Sequence, residues 1–221
     1  ASAALPLSVK KTIARRAAME LKLRVPVNTG LGYPEGIASV ASEEGIADDL
    51  MLTVETGAFG GVPAARTSFG ATSNAQAIVD SPTIFDLYDG GFLYATFVGL
   101  AECDPNGSVN VSRFMDKSGH ERRPGAGGFI NLTQGAKNVI FCGTMTAGYK
   151  AEVRDGKVVI LQEGAEKKFL KAINQVTFSG QHAVEINQNV LYITDRCVFR
   201  LTREGLVLTE IAPGIDLQTQ I

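Results

Sequence analysis

The chain has 221 residues, 45% of them hydrophobic, which is enough apolar material for one large domain or two small ones and excludes a disordered tail. Its 21 Lys and Arg against 23 Asp and Glu leave a formal net charge of -2, so no global field draws in nucleic acid or an anionic membrane, and any anion has to be bound locally. Cys103, Cys142 and Cys197 are odd in number, widely spaced and form no CxxC pair, which argues against a disulfide framework or a zinc cluster and for a reducing cytoplasm. The first residues lack the basic start and long apolar core of a signal peptide, and no apolar run reaches transmembrane length, so a soluble protein with no membrane partner is expected. Both ends are abrupt, which suggests a piece of a longer chain.

In chain order, Ser8 is placed to cap a helix from Val9 to Leu23, with Ile13, Ala17, Met19 and Leu23 on an apolar face and Lys10, Lys11, Arg15 and Arg16 on a solvated one. Arg24 to Asn28 reads as a short strand, followed by the glycine loop Thr29-Gly30-Leu31-Gly32-Tyr33-Pro34-Glu35-Gly36 and a helix from Gly36 to Glu43. The same order recurs: a strand from Leu50 to Glu55, a loop through Gly57, Gly60 and Gly61, and a helix near Asn74 to Asp80. Tyr94 to Glu102 and Val109 to Phe114 read as strands around the turn at Asp104-Pro105-Asn106-Gly107. Gly125 to Gly128 opens another helix, and Val139 to Cys142 is a short buried strand. Beyond Tyr149 the pattern turns antiparallel. Asp155-Gly156 joins Lys150–Arg154 to Lys157–Leu161, and Arg203-Glu204-Gly205 joins Cys197–Leu201 to Leu206–Glu210. The sum is an α/β fold with an open, mostly parallel sheet, flanking helices and an antiparallel hairpin region toward the C-terminus.

His120 and His182 lie far apart with neither a GxSxG elbow nor an HExxH pair, which weakens a hydrolase triad or a zinc protease and leaves both as surface or cap residues. Gly30-Leu31-Gly32 followed by Gly36 misses the dinucleotide spacing by one residue, yet a glycine loop feeding a helix still offers backbone N–H groups to a phosphate. Glu55 stands where a buried strand meets a glycine loop, the end of an α/β sheet at which ligands sit. Placement alone leaves it open whether that carboxylate reacts or simply ends a strand.

The string Val54-Glu55-Thr56-Gly57-Ala58-Phe59-Gly60-Gly61-Val62-Pro63-Ala64 resembles the active-site segment of family I coenzyme A transferases of the acetate and propionate type. The likeness extends through Gly90-Gly91, Gly99-Leu100-Ala101-Glu102-Cys103-Asp104, Asn110-Val111-Ser112-Arg113-Phe114, Gly125-Ala126-Gly127-Gly128-Phe129-Ile130-Asn131, Ile193 to Phe199 and Glu210 to Leu217, and so covers nearly the whole chain. The resemblance implies that residues 1–221 are the C-terminal, glutamate-bearing domain of a homo-oligomeric enzyme. The N-terminal half of its site comes from elsewhere in the parent chain or from a separate subunit. It further implies that Glu55 attacks acyl-CoA and becomes a glutamyl-CoA thioester in a ping-pong exchange between short-chain acyl-CoA and a free carboxylic acid. Coenzyme A is then a substrate, with no permanently bound cofactor and no metal.

A carboxylate nucleophile is ionised at neutral pH without a histidine base, which fits a chain with two histidines. By the same resemblance Gly128, last of the GxGG pattern, supplies an oxyanion N–H beside Gly127, while Gly30, Leu31, Gly32, Tyr33 and Pro34 form the loop that approaches coenzyme A. Gly60, Gly61, Asn110 and Lys150 are weaker candidates for the channel or the coenzyme, and Phe59, Phe69, Phe92 and Phe129 for a pocket that limits acyl size. An acyl-CoA hydrolase and a non-catalytic acyl-CoA sensor are the alternatives on the same sheet. A sugar-phosphate isomerase would need an acid-base pair and clustered phosphate cations that the sequence does not group.

Overall fold

The computed structural model describes residues 4–64, 68, 70–115 and 119–221. Its first helix, α1 (Val9–Ala18), begins at Ser8, whose hydroxyl accepts from the Lys11 N–H as a capping serine should. It stops at Ala18 rather than Leu23, because Met19 and Leu23 are exposed and have no core to cover. The basic face is not simply wet. Lys11 pairs with Glu43 at 2.6 Å, and Arg16 holds Glu210 through two bonds of 2.7 and 2.6 Å and Glu20 at 2.7 Å, so this face is an ion-pair seam to the neighbouring elements.

The sheet strands are β1 (Pro26–Thr29), β2 (Met51–Thr53), β3 (Ala58–Phe59), β4 (Ala77–Ile78), β5 (Ala95–Gly99), β6 (Asn138–Cys142), β7 (Asn189–Ile193), β8 (Cys197–Thr202) and β9 (Gly205–Ile211). Their order is β9-β8-β7-β6-β5-β1-β2-β3-β4. From β7 to β2 the neighbours run parallel, and antiparallel strands close both flanks. The α/β sheet with parallel centre and antiparallel hairpins is as expected from the sequence. Residues of β7 and of the short helix before it, at Gly180–Glu185, were not read as elements.

Helices fall on two sides. Helix α2 (Gly36–Glu43), between β1 and β2, packs with α1 on one face, around Val27, Leu52, Phe97 and Ile140. Helices α3 (Ser81–Asp89), α4 (Phe129–Gly135) and α5 (Gly180–Glu185) pack on the other, around Val98, Val139, Phe141 and Tyr192. The chain therefore changes sides between the adjacent strands β1 and β5, and a crevice opens at the C-terminal ends of strands at such a switch point.

Further segments differ from the sequence reading, among them the strand read from Val109 to Phe114, which ends at Asn110. Residues 74–80 are not helical: Asn74 has φ 58° and β4 is extended, while the helix starts at Asp80, which caps α3 by accepting from the Thr83 N–H ahead of Pro82. The strand expected through Glu102 ends at Gly99, and Glu102–Cys103 pairs separately with Val109–Asn110 around a turn in which Asp104 accepts from the Asn106 and Ser108 N–H groups. The Asp155-Gly156 hairpin forms as read, with φ 51° and 73°, the pair of positive values a two-residue turn of this kind needs.

Arg196, almost fully buried, ties the C-terminal region together through Glu163 at 2.8 and 2.7 Å, the Gln220 carbonyl at 2.9 Å and Asp195 at 3.3 Å. Its guanidinium holds the Glu163 carboxyl at about 2, against an ordinary value of 4.5. A carboxylate depressed in the folded state stabilises above its unfolded pKa, and that contribution is lost as pH falls from 4.5 towards 2. Glu163→Gln is accordingly expected to flatten the acid side of the stability profile over that window, read from thermal melts between pH 2 and 6, with Glu163 half exposed and the effect modest.

Candidate active site

Beyond Thr53 the chain reverses sharply. The Gly57 N–H donates to the Val54 carbonyl at 2.8 Å and the Val54 N–H to the Ala58 carbonyl at 3.0 Å, which lifts Glu55 to the tip of a turn instead of leaving it at the end of β2. Gly57 makes that turn possible: its φ is 106°, and a Cβ there would lie 1.9 Å from the Val79 carbonyl oxygen. Gly57→Ala is expected to destabilise the protein by more than about 2 kcal/mol in a denaturant titration, since the added carbon meets backbone that cannot swing away. The Ser81 hydroxyl at the start of α3 donates to the Glu55 carbonyl at 3.1 Å and fixes the turn from the other side.

Glu55 opens onto a cleft of about 660 Å³ at the sheet's switch point. Gly30 and Leu31 follow β1, Val98 to Ala101 end β5, Gly125 to Gly128 lead into α4, and Phe129 and Leu132 of that helix form an apolar wall. Among the described lining residues Glu55 alone carries an ionisable side chain. Gly128 approaches it so closely that a Cβ at this position would stand 3.2 Å from Glu55 Cγ and 3.1 Å from the Phe85 ring. Among the described residues no backbone carbonyl accepts from the Gly127 or Gly128 N–H groups, and both glycines line the cleft.

Burial raises the Glu55 carboxyl above its ordinary value, and the Glu55 backbone N–H and the Asn28 side-chain amide pull it back down. Beneath it, on the face of the sheet covered by α3, lie Thr53, Asn28 and Thr96, in register on β2, β1 and β5 and all buried. Asn28 Nδ2 donates to the Thr53 carbonyl at 3.1 Å, and the Tyr88 hydroxyl of α3 donates to Thr53 Oγ1 at 3.0 Å. Burial and the nearby Glu55 charge push the Tyr88 phenol up to about 12, so it stays protonated as a donor.

Of the candidates from the sequence, Glu55, Gly30, Leu31, Gly127 and Gly128 meet at this cleft. Gly32 is exposed beside it, Pro34 is buried, and Tyr33 packs onto the α1–α2 core, where it interacts with the Tyr149 hydroxyl; these three support the loop from outside the lining. Gly60 and Gly61 lie against Gln76 and the 73–74 turn, and neither lines the cleft. Asn110 is held inside by Glu102 and the Arg113 carbonyl at 2.7 and 2.6 Å, and Lys150 is exposed on the first strand of the 150–162 hairpin. Phe129 lines the cleft, Phe59 and Phe92 meet edge to face at 5.9 Å, and Phe69 lies outside the described residues. His120 and His182 are exposed, as expected. Thr56 and Val98 line the cleft and were not singled out from the sequence, and neither was Asn28 beside Thr53. Only Asn28 carried a signal, an amide following Val25-Pro26-Val27 in a buried strand.

No protein-family model matches the chain. It is 48% identical to caffeate CoA-transferase of Acetobacterium woodii, over 98% of this chain and 41% of that protein, and so spans about two fifths of the relative's length. It is 30% identical to the beta subunit of acetate CoA-transferase of Escherichia coli K12, over 96% of this chain and 90% of the subunit. The crystal structure of an acyl-CoA transferase of Escherichia coli O157:H7, YdiF, in a thioester complex with CoA superposes with a TM-score of 0.89 at 44% identity, covering 100% of this chain and 41% of that one. With nine-tenths of a whole transferase subunit matched and a glycine-walled carboxylate where the strands change sides, the chain belongs to the coenzyme A transferase family.

Proposed function

We propose that this chain carries the catalytic glutamate of an enzyme that moves coenzyme A between a short-chain acyl-CoA and a free carboxylic acid. What carries the reading is the pairing of Glu55, the sole ionisable group among the described lining residues, with a Gly128 backbone close enough to act on the same reacting carbon. A Glu55 carboxylate oxygen attacks the thioester carbonyl, and the Gly128 N–H stabilises the oxyanion that forms. Collapse expels the coenzyme A thiolate and leaves a mixed anhydride. The thiolate attacks the Glu55 acyl carbon, releasing the first carboxylate and forming the glutamyl-CoA thioester, and the second acid reverses both steps. Gly30, Leu31 and Gly127 let the coenzyme's chain approach the carboxylate, with Gly32, Tyr33 and Pro34 stiffening the loop behind them.

The chain works with an N-terminal half, in the same polypeptide or as a separate subunit, within a homo-oligomer. Its match to nine-tenths of a beta subunit and to two fifths of longer transferases favours that division. Three buried free thiols suit the reducing cytoplasm in which acyl-CoA is exchanged. Among the described residues no helix is long and apolar enough to cross a membrane. Relatives named for acetate and for caffeate differ widely in acyl size, and an apolar pocket discriminates one methylene by only about 1–3 kcal/mol, so overlapping acids are accepted.

The test is intact-protein mass after exposure of the assembled enzyme to acyl-CoA, with and without borohydride. A coenzyme A adduct confined to the peptide that holds Glu55, discharged only by an acceptor acid, is the expected result. Discharge by water at the same rate would make the enzyme a hydrolase, and exchange with no adduct at Glu55 would overturn the reading.

A further inference from the structure

Position 28 lies in the middle of the parallel sheet, between β2 and β5, with no exposure at all. An aliphatic residue is the stable choice there, since a parallel sheet covered on both faces reads as an apolar run. Asn28 instead buries an amide whose orientation is dictated: Nδ2 must face the Thr53 carbonyl, which accepts from it at 3.1 Å. Its Oδ1 and the neighbouring Thr96 Oγ1 find no hydrogen-bond partner. Two unpartnered polar atoms in adjacent strands are a cost to stability. Asn28 lies beside Thr53, two residues before Glu55, on the face where Tyr88 descends from α3 to Thr53, and Thr96 stands one strand farther from that turn.

We propose that Asn28, backed by Tyr88 through Thr53, is the positioning residue for Glu55: its amide steadies the carboxylate from below so that one oxygen is presented to the cleft. This rests on Glu55 being the nucleophile. Asn28 itself touches neither acyl group nor coenzyme. The amide opposes the desolvation of the carboxylate, so it also keeps Glu55 ionised at lower pH than burial alone would allow. The charges around Glu55 leave few other candidates for that role. Tyr88 is the titratable group that faces it from α3, Asp80 at the start of that helix turns its carboxylate to the Thr83 N–H, and the cleft walls from β5, the 125–128 loop and α4 bring none among the described residues.

The test follows the rate of glutamyl-CoA thioester formation against pH in the assembled enzyme, for the wild type, Asn28→Leu, Tyr88→Phe and Thr96→Val, with a thermal melt of each. Asn28→Leu is expected to move the acid limb up by about one unit and to lower kcat about 10²-fold with KM for acyl-CoA little changed. Its melting temperature should fall little, because the unpartnered oxygen leaves with the amide. Tyr88→Phe should shift the limb the same way by less. Thr96→Val, in register with Asn28 but on the strand away from Glu55, should leave the limb in place. An unshifted limb and undiminished kcat in Asn28→Leu overturn the proposal, as does an equal shift in Thr96→Val; should Asn28→Leu fail to fold, an unshifted limb in Tyr88→Phe overturns it. A wild type that forms no adduct at Glu55 sinks the nucleophile reading instead, which separates the two failures.

Discussion

Glu55→Gln is expected to stay folded and to lose about four to six orders of magnitude in transferase turnover, the loss seen when a covalent nucleophile is removed. Glutamine keeps the length and shape of the side chain but cannot form the anhydride or the thioester. The adduct in the mass spectrum should vanish with the activity. Stability should move the other way. A carboxyl raised by burial binds its proton more tightly folded than unfolded, so above its unfolded pKa ionisation works against the fold. Removing that charge should therefore leave the melting temperature unchanged or raise it at neutral pH, and the difference from wild type should shrink as pH falls through the raised pKa. A variant that loses activity and stability together would instead mark Glu55 as structural.

The parts of the fold that were legible in the sequence are those set by local chemistry. Ser8 caps α1, Asp155-Gly156 closes a hairpin with two positive φ values, and the glycine loop after β1 leads into α2, each decided within a few residues. The misplaced helix at 74–80 had a local remedy in Asp80-Ser81-Pro82, a better start signal than the apolar residues that preceded it. What could not be read locally was the order of strands. Residues that follow β1 and β2 meet the end of β5 at the cleft only because the chain changes sides between β1 and β5. The same applies to the site. Glu55 and Gly128 were named through resemblance, and their approach to within a carbon's width is a tertiary fact. Asn28 looked like one more strand residue until its register placed it, fully buried, between Thr96 and Thr53, two residues before Glu55.

Gly128→Ala is the sharpest probe of that approach. Gly128 has φ -76° and ψ -1°, values any residue adopts, so the substitution introduces no backbone strain and the variant should fold. The added carbon would stand 3.1 Å from the Phe85 ring and 3.2 Å from Glu55 Cγ, a few tenths of an ångström too close. Phe85 belongs to α3, whose Ile84 and Tyr88 are fully buried, so the helix cannot retreat and the relaxation falls on Glu55 and on the 125–128 loop. Both groups proposed to act on the acyl carbon are then displaced together. Loss of one oxyanion donor alone lowers turnover about 10²–10³-fold, and misalignment of the nucleophile adds to it. The expected result is a drop of that size or more in kcat, read from acyl exchange between acetate and acyl-CoA, with a melting temperature within a few degrees of wild type and KM for acyl-CoA little altered. Undiminished kcat in a folded Gly128→Ala would mean that the carbonyl reacts away from this loop, and the oxyanion donor would have to be sought elsewhere on the cleft wall.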